Sequence, residues 1–224
     1  MVKEKITASV EKIITFGLAN RLKEMERVHG NYAAAGDPTE KSELRTLIDE
    51  LIGAKVTIND SPFFFESHLT FEVVGDSMEP KDIHDGDLLL LKEYQIGENP
   101  RQNDFLIIKV DDNYYRRYNR KSAVFDTKLR MALLVVTPLM TIDEIIEQLR
   151  PCHKEILIKE YQKHLKDKLK KSREFYAGCD LVLSITYHDG FMRYSFHPVS
   201  LIVGKVVLIA RRKIGSKDIE YITI

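Results

Sequence analysis

The sequence predicts a mixed α+β protein whose centre is a mostly antiparallel β-domain, with an N-terminal helical pair and a helical insertion. Apolar residues recur at three- and four-residue steps near the N-terminus and again between residues 141 and 178, which is the helical period. The remaining segments are short β-rich runs separated by turn residues. The predicted parts are an N-terminal helical segment at 1–54, a β-domain at 55–215 with the insertion inside 122–190, and a C-terminal tail at 216–224.

The N-terminal pair is predicted from apolar spacing and from helix caps. The first helix covers residues 3–29. The second begins at Asp37, a good N-cap, with Pro38 at the first helical position and Glu40 completing a capping-box pattern. Gly53 is the natural C-terminal cap of this second helix.

Strands are predicted from residue 55 onward. Asp111–Asn113 reads as a tight turn, so the strands on either side of it should form a hairpin, and His188–Gly190 is a second hairpin turn. The predicted strands are Phe71–Val74, Asp87–Leu91, Phe105–Val110, Tyr114–Tyr118, Met131–Val136, Leu181–Tyr187, Phe191–Phe196 and Leu201–Ala210.

The insertion is predicted to hold a short helix followed by a long one. Thr141 and Glu144 form a capping-box pair at its start, and Pro151 should break the helix. Residues 159–173 are rich in lysine, which suggests a phosphate-binding face or, as the favoured interpretation, a solvated one.

Composition excludes several classes of protein. Lys+Arg and Asp+Glu are 34 each, so the net charge is zero and gives no global signature of nucleic-acid or membrane binding. No stretch approaches ~20 apolar residues and the N-terminus is not a signal peptide, so a cytoplasmic protein without membrane contact is expected. Cys152 and Cys179 are expected to be reduced thiols, and the scattered histidines predict no metal site and no cofactor.

The most informative motif is Gly75–Pro80, with the sequence Gly-Asp-Ser-Met-Glu-Pro, followed by Asp85-Gly86-Asp87 and four leucines. A serine between an apolar strand and a Pro-containing turn is a candidate nucleophile; a plain turn serine is the alternative. The pattern resembles the LexA-type Ser–Lys peptidases, which include self-cleaving repressors, and signal peptidases share this style of motif. The resemblance covers about 71–120 and resumes at 200–207.

The resemblance implies roles for individual residues. Ser77 is the nucleophile, and Asp76 and Met78 hold oxyanion or turn positions. The family's base is a lysine on the second strand of a hairpin, and the matching stretch, residues 112–118, puts Arg116 in that place, 39 residues after Ser77. Arginine has a pKa above about 12 and cannot act as the base. A divergent member that lacks the catalytic lysine is therefore expected.

Other bases require a different alignment or a different residue. Lys109 or Lys121 could serve only if the strand register differs from the aligned one. His84 lies near the serine and could act as a base, although a turn role is favoured.

A cleavage site is the next feature that the resemblance implies. LexA-type proteins cut themselves at an Ala-Gly bond upstream of the serine, and Ala35-Gly36 resembles such a site. A small-residue linker between two helices is the favoured alternative. The N-terminal segment supplies two convincing helices rather than a compact three-helix pattern, so a DNA-reading head is disfavoured.

Three functions remain open from the sequence. The first is a regulatory or interaction protein built on a catalytically impaired peptidase fold. The second is an active Ser–Lys peptidase that uses a lysine outside the aligned place. The third is a self-cleaving transcriptional repressor that binds DNA. The candidate partners are the chain's own linker or another peptide, held by addition to a sheet edge, a second copy of the chain, and DNA.

Overall fold

The computed structural model describes residues 11–12, 54–58, 61–64, 69–94, 98–109, 111–119, 127–151, 153, 158–188, 191–212 and 219–224. The chain divides into two compact units. The first comprises residues 1–74, 85–92 and 207–224, and the second comprises residues 75–84 and 93–206. Ala35, Gly36 and the second predicted helix lie outside the described residues.

The first unit is built from antiparallel strands. A three-stranded sheet has the order β1-β2-β3, and a second sheet path has the order β4-β5-β10-β11. The expected C-terminal tail contains β11. The strands are β1 (Glu11–Lys12), β2 (Ala54–Ile58), β3 (Ser61–Phe64), β4 (Leu69–Glu72), β5 (Leu88–Lys92), the second half of β10 (Ile202–Arg212) and β11 (Ile219–Thr223).

The strand β1 corrects part of the predicted first helix. Glu11 and Lys12 are extended and pair with Lys55 and Ala54 of β2. The helix predicted over 3–29 is therefore wrong at these two residues, because pairing with a distant strand outweighs the local helical period. The rest of that helix lies outside the described residues.

The core of the first unit lies on the leucines of β5. All four leucines, Leu88–Leu91, are buried, which means that the strand is covered on both faces. Leu88 and Leu90 pack with Leu208 and Ala210 of β10, and Tyr221 of β11 packs against this cluster. The four-leucine run after Asp87 is thus a buried central strand.

A buried ion pair fixes the start of β5. The Asp87 carboxylate is 1% exposed and accepts from Arg211 Nε and Nη2, each at 2.8 Å. The Asp87 carbonyl also accepts from the Val73 amide at 2.8 Å. A bidentate contact with arginine is the geometry that best offsets the desolvation of a buried carboxylate.

The Asp87→Ala variant should lose about 3 kcal/mol of stability, because it leaves the Arg211 guanidinium without its buried counter-charge. Asp85→Ala, two residues away and exposed, is the matched control and should lose less than about 1 kcal/mol. Urea unfolding at pH 7 measures both. Equal losses in the two variants would contradict the role assigned to the buried pair.

The second unit is a five-stranded antiparallel sheet with helices. The sheet order is β10-β6-β7-β8-β9, where the first half of β10 takes part. The elements are β6 (Phe105–Lys109), α1 (Asp112–Asn119), β7 (Thr127–Val136), α2 (Ile142–Leu149), α3 (Lys159–Phe175), β8 (Leu181–His188) and β9 (Phe191–Pro198). The predicted mixed α+β, mostly antiparallel fold is confirmed.

The helical insertion follows its predicted signals. The Thr141 hydroxyl accepts from the Glu144 amide and the Glu144 carboxylate accepts from the Thr141 amide, so the capping box is confirmed. Helix α2 ends before Pro151, as predicted. Among the described helices, none is both long and apolar enough to cross a membrane.

The predicted strand Tyr114–Tyr118 is wrong. Residues 112–119 form the helix α1, and the Asp111 carboxylate caps it by accepting from the Asn113 and Tyr114 amides at 3.0 and 3.1 Å. Tyr114 stacks on Tyr176, with 5.2 Å between the ring centroids, and its hydroxyl lies 3.1 Å from Ser172 Oγ of α3. Tyr114 and Tyr118 thus pack against Phe175, at the end of a helix that lies about 60 residues later in the chain.

Helix α3 covers the outer edge of β9. The Tyr161 hydroxyl donates to the Met192 carbonyl at 2.8 Å, and Lys168 Nζ donates to the Tyr194 carbonyl at 2.6 Å. Both carbonyls therefore point away from β8 and are satisfied by helix side chains instead of another strand.

Candidate active site

The serine motif forms a tight turn in the second unit. Gly75 has a φ of 90°, a conformation that glycine adopts readily, and a 3-10 helix follows at Glu79–Lys81. The Glu79 amide donates to the Asp76 carbonyl at 3.0 Å, and the Lys81 amide donates to the Met78 carbonyl at 2.9 Å. Met78 is 1% exposed and anchors the turn, while Ser77 is only partly buried.

The Ser77 carbonyl joins this turn to the end of β8 through two hydrogen bonds. It accepts from the Tyr187 amide at 2.9 Å and from Thr186 Oγ1 at 3.3 Å. The β7–β8 pairing runs from Val136 opposite Leu181 to Met131 opposite Ile185 and goes no further. Past Ile185, the serine turn supplies β8 with the hydrogen bond that β7 would otherwise supply.

Strand polarity supports this placement. Tyr187 is opposite Met192, and the Met192 carbonyl points outward to Tyr161. In an antiparallel pair, the backbone N–H and C=O groups of two opposite residues either both point into the space between the strands or both point out of it. Since the Met192 carbonyl points out, the Tyr187 amide points away from β9, toward β7. The Ser77 carbonyl therefore approaches β8 on the side that β7 occupies up to Ile185.

Lys128 is the lysine at this end of β7. Strand β7, and not residues 112–118, forms the hairpin partner of β6, with Lys128 opposite Ile108. The resemblance placed the catalytic base on the second strand of such a hairpin. Arg116 lies in α1 instead, so the expected strand that put Arg116 in the lysine place is wrong. The sequence reasoning missed Lys128 because it assumed a tight turn where the chain inserts a helix.

The surroundings of Lys128 favour its neutral form. Burial lowers the pKa of the Lys128 ammonium to about 8, with a further contribution from the Arg130 charge. Arg130 is two residues along β7 and so lies on the same face of the sheet. A lysine with this pKa is neutral in about one molecule in ten at pH 7, which meets the first requirement of a lysine base.

On the same face, β8 and β9 carry the buried polar side chains of Ser184 and His197. Ser184 is opposite Ala132 and Ser195, and His197 Nε2 lies 2.9 Å from Ser195 Oγ. Burial, followed by the charges of Arg130, Lys128 and Lys168, lowers the pKa of the His197 imidazole to about 3. His197 is therefore neutral at physiological pH.

Most of the other proposed site residues have ordinary surroundings. His84 Nε2 lies 2.7 Å from Asp82 Oδ1, within the turn. Lys109 is exposed and opposite Thr127. The carbonyls of Asp76 and Met78 accept turn hydrogen bonds; their oxyanion role stays a prediction. Lys121, Ala35 and Gly36 lie outside the described residues.

Comparison with known families identifies the region around the serine. The model of the family described as Peptidase S24-like matches residues 31–126. Over these residues the chain is similar to that family. The match supports the LexA-type resemblance. It includes Ser77 and Arg116 and ends two residues before Lys128, so strand pairing alone identifies this lysine. No curated protein and no solved structure matches the chain significantly.

The buried imidazole predicts acid sensitivity. The His197 pKa is lowered from about 6.5 in the unfolded chain to about 3 in the folded one, so the unfolded state binds more protons between these values. Stability should therefore fall as the pH drops below about 6.5, by about 2 kcal/mol at pH 5.

Urea unfolding of the wild type and of His197→Gln at pH 7 and pH 5 measures this loss. The variant should lose most of the pH dependence, whereas the exposed-site control His188→Gln should keep it. An unchanged slope in His197→Gln would show that another group causes the acid sensitivity.

Proposed function

We propose that this protein is an active Ser–Lys autopeptidase, with Ser77 as the nucleophile and Lys128 as the general base. The observation that carries the proposal is the end of the β7–β8 pairing. There the Ser77 carbonyl binds Tyr187, beside the strand that presents the partly buried Lys128. The family match supports the nucleophile, and the hairpin position supports the base.

The chemistry follows from the two side chains. Neutral Lys128 Nζ accepts the Ser77 hydroxyl proton while Oγ attacks the carbonyl carbon of a peptide bond. Lys128 then returns the proton to the leaving amine, and an acyl-enzyme ester remains on Ser77. A water molecule, deprotonated by Lys128, attacks the ester and releases the new carboxylate together with the Ser77 hydroxyl.

The proposed substrate is the chain's own Ala35–Gly36 bond. It lies upstream of the serine, as in the self-cleaving proteins that the sequence resembles. Cleavage there would break the covalent link between β1 and its partner strand β2 within the first unit, which is a simple way to switch a regulatory protein. No structural observation favours DNA binding, so the proposal stops at self-cleavage.

Catalytic impairment is the weaker alternative. It depends on Arg116 occupying the lysine place on a hairpin strand, and residues 112–119 form a helix. Lys109, the other lysine that was considered within the described residues, is exposed, so burial does not favour its neutral form. An impaired fold that only binds peptides remains the outcome if no cleavage occurs.

Purified protein should cut itself into two fragments at Ala35–Gly36, and the rate should follow the neutral form of Lys128. The rate should rise about tenfold per pH unit below pH 8 and level off above it. Mass spectrometry after incubation from pH 6 to pH 10 measures both the site and the rate.

Three variants make this result decisive. Ser77→Ala and Lys128→Ala should each abolish cleavage, while Lys109→Ala, the exposed lysine on the neighbouring strand, should cleave normally. Absence of fragments up to pH 10 would favour the alternative, a catalytically impaired peptidase fold. Loss of cleavage in Lys109→Ala alone would move the base to Lys109.

The charge of Arg130 should lower the pKa of Lys128. Removing its charge in Arg130→Gln should raise the pKa of Lys128 and move the midpoint of the pH–rate profile to higher pH, whereas Arg130→Lys should keep the wild-type midpoint. A purely structural role would lower the maximal rate in Arg130→Gln without moving the midpoint, and that result would contradict the tuning.

A further inference from the structure

The Ser77 carbonyl is held from two directions by consecutive residues of β8. The Tyr187 amide donates to it at 2.9 Å, and Thr186 Oγ1 donates to it at 3.3 Å. Backbone amides of a strand lie in the plane of the sheet, whereas side chains stand roughly perpendicular to that plane. The two bonds therefore reach the oxygen at different angles, and a carbonyl oxygen has two lone pairs that accept both.

The end of β8 that carries these two donors is itself held in place. Its pairing with β9 continues with Thr186 opposite Arg193 and Tyr187 opposite Met192, beyond the point where its pairing with β7 ends. The Tyr161 hydroxyl of α3 donates to the Met192 carbonyl at 2.8 Å and so supports this part of β9. Groups on a regular strand are positioned more precisely than groups on a loop. Both donors therefore reach the serine turn from a well-fixed element.

We propose that Thr186 is a positioning residue for the Ser77 nucleophile, whose hydroxyl fixes the orientation of the Ser77 peptide group and hence of Oγ. This role rests on the proposed function, because it concerns the same reaction. The bond from the Tyr187 amide attaches the turn to the sheet but permits rotation about that bond. The bond from Thr186 removes this freedom. Orientation matters because a reacting group that is misplaced by about 1 Å can lose about a hundredfold in rate.

The chemistry of threonine suits this role. Its β-branch restricts rotation about χ1, so the hydroxyl loses little conformational entropy when it forms the bond. The hydroxyl of Thr186 meets the turn at a backbone carbonyl, so it positions Ser77 and takes no part in proton transfer. The alternative is a threonine that only packs within the strand, in which case the methyl group matters and the hydroxyl does not.

The test compares the self-cleavage rates of full-length Thr186→Val and Thr186→Ser with that of the wild type from pH 6 to pH 10. Valine keeps the shape of the side chain and removes the hydroxyl, whereas serine keeps the hydroxyl and removes the methyl group. Ser184→Ala is the matched control on the same strand. The Ser184 hydroxyl donates to the Ser195 carbonyl at 3.4 Å, so its loss removes a bond of the same kind that holds β9 instead of the serine turn.

Thr186→Val should lower the maximal rate above pH 8 about tenfold, the size expected for the loss of one hydrogen bond. The midpoint of its pH–rate profile should stay near pH 8, because the hydroxyl orients Ser77 and leaves Lys128 unchanged. Thr186→Ser should cleave within about threefold of the wild-type rate, since its hydroxyl is present but freer to rotate. Ser184→Ala should cleave at the wild-type rate. An unchanged rate in Thr186→Val, an equal loss in Thr186→Ser, or a shifted midpoint would overturn the role.

Hydrogen exchange of the Tyr187 amide tests the contact without any cleavage. It is measured by NMR in full-length Ser77→Ala and divided by the intrinsic exchange rate of each sequence. Thr186→Val should speed it about fivefold, because the turn then detaches more often, and Thr186→Ser should leave it unchanged. The two proposals fail separately. Faster exchange without cleavage in the wild type would remove the dyad and keep Thr186 as the residue that holds the turn. Cleavage that Thr186→Val leaves unaffected would keep the dyad and remove the positioning role.

Discussion

The hydrogen bond from the Tyr187 amide to the Ser77 carbonyl joins the serine turn to the sheet, and the site depends on it. An antiparallel pair that continued past Ile185 would leave no room for the turn beside β8. Because the pairing stops there, the backbone of the turn can accept the hydrogen bond of the Tyr187 amide. A backbone contact of this kind fixes the position of Ser77 independently of its side chain, so Ser77→Ala should keep the turn intact.

Local signals in the sequence predicted much of the fold. The capping box at Thr141, the break at Pro151 and the turn before Phe191 act over a few residues, and each was confirmed. The position of Ser77 in a tight turn was likewise readable from its glycine and proline neighbours.

Long-range packing explains what the sequence could not predict. Residues 112–119 form a helix in which Tyr114 and Tyr118 pack against Phe175 of α3, far along the chain, and the second strand of the hairpin is therefore β7. Lys128, the proposed general base, was missed for the same reason. Lys128 became a candidate only when its strand partner, Ile108, was known.

The two contacts from α3 to the edge of β9 have a consequence for assembly. Tyr161 and Lys168 occupy the outward carbonyls of Met192 and Tyr194, which a second protein would need for strand addition. The insertion between β7 and β8 thus prevents a further strand from pairing with β9 at these residues. Strand addition at β9 by peptides or other subunits is therefore blocked at these two carbonyls.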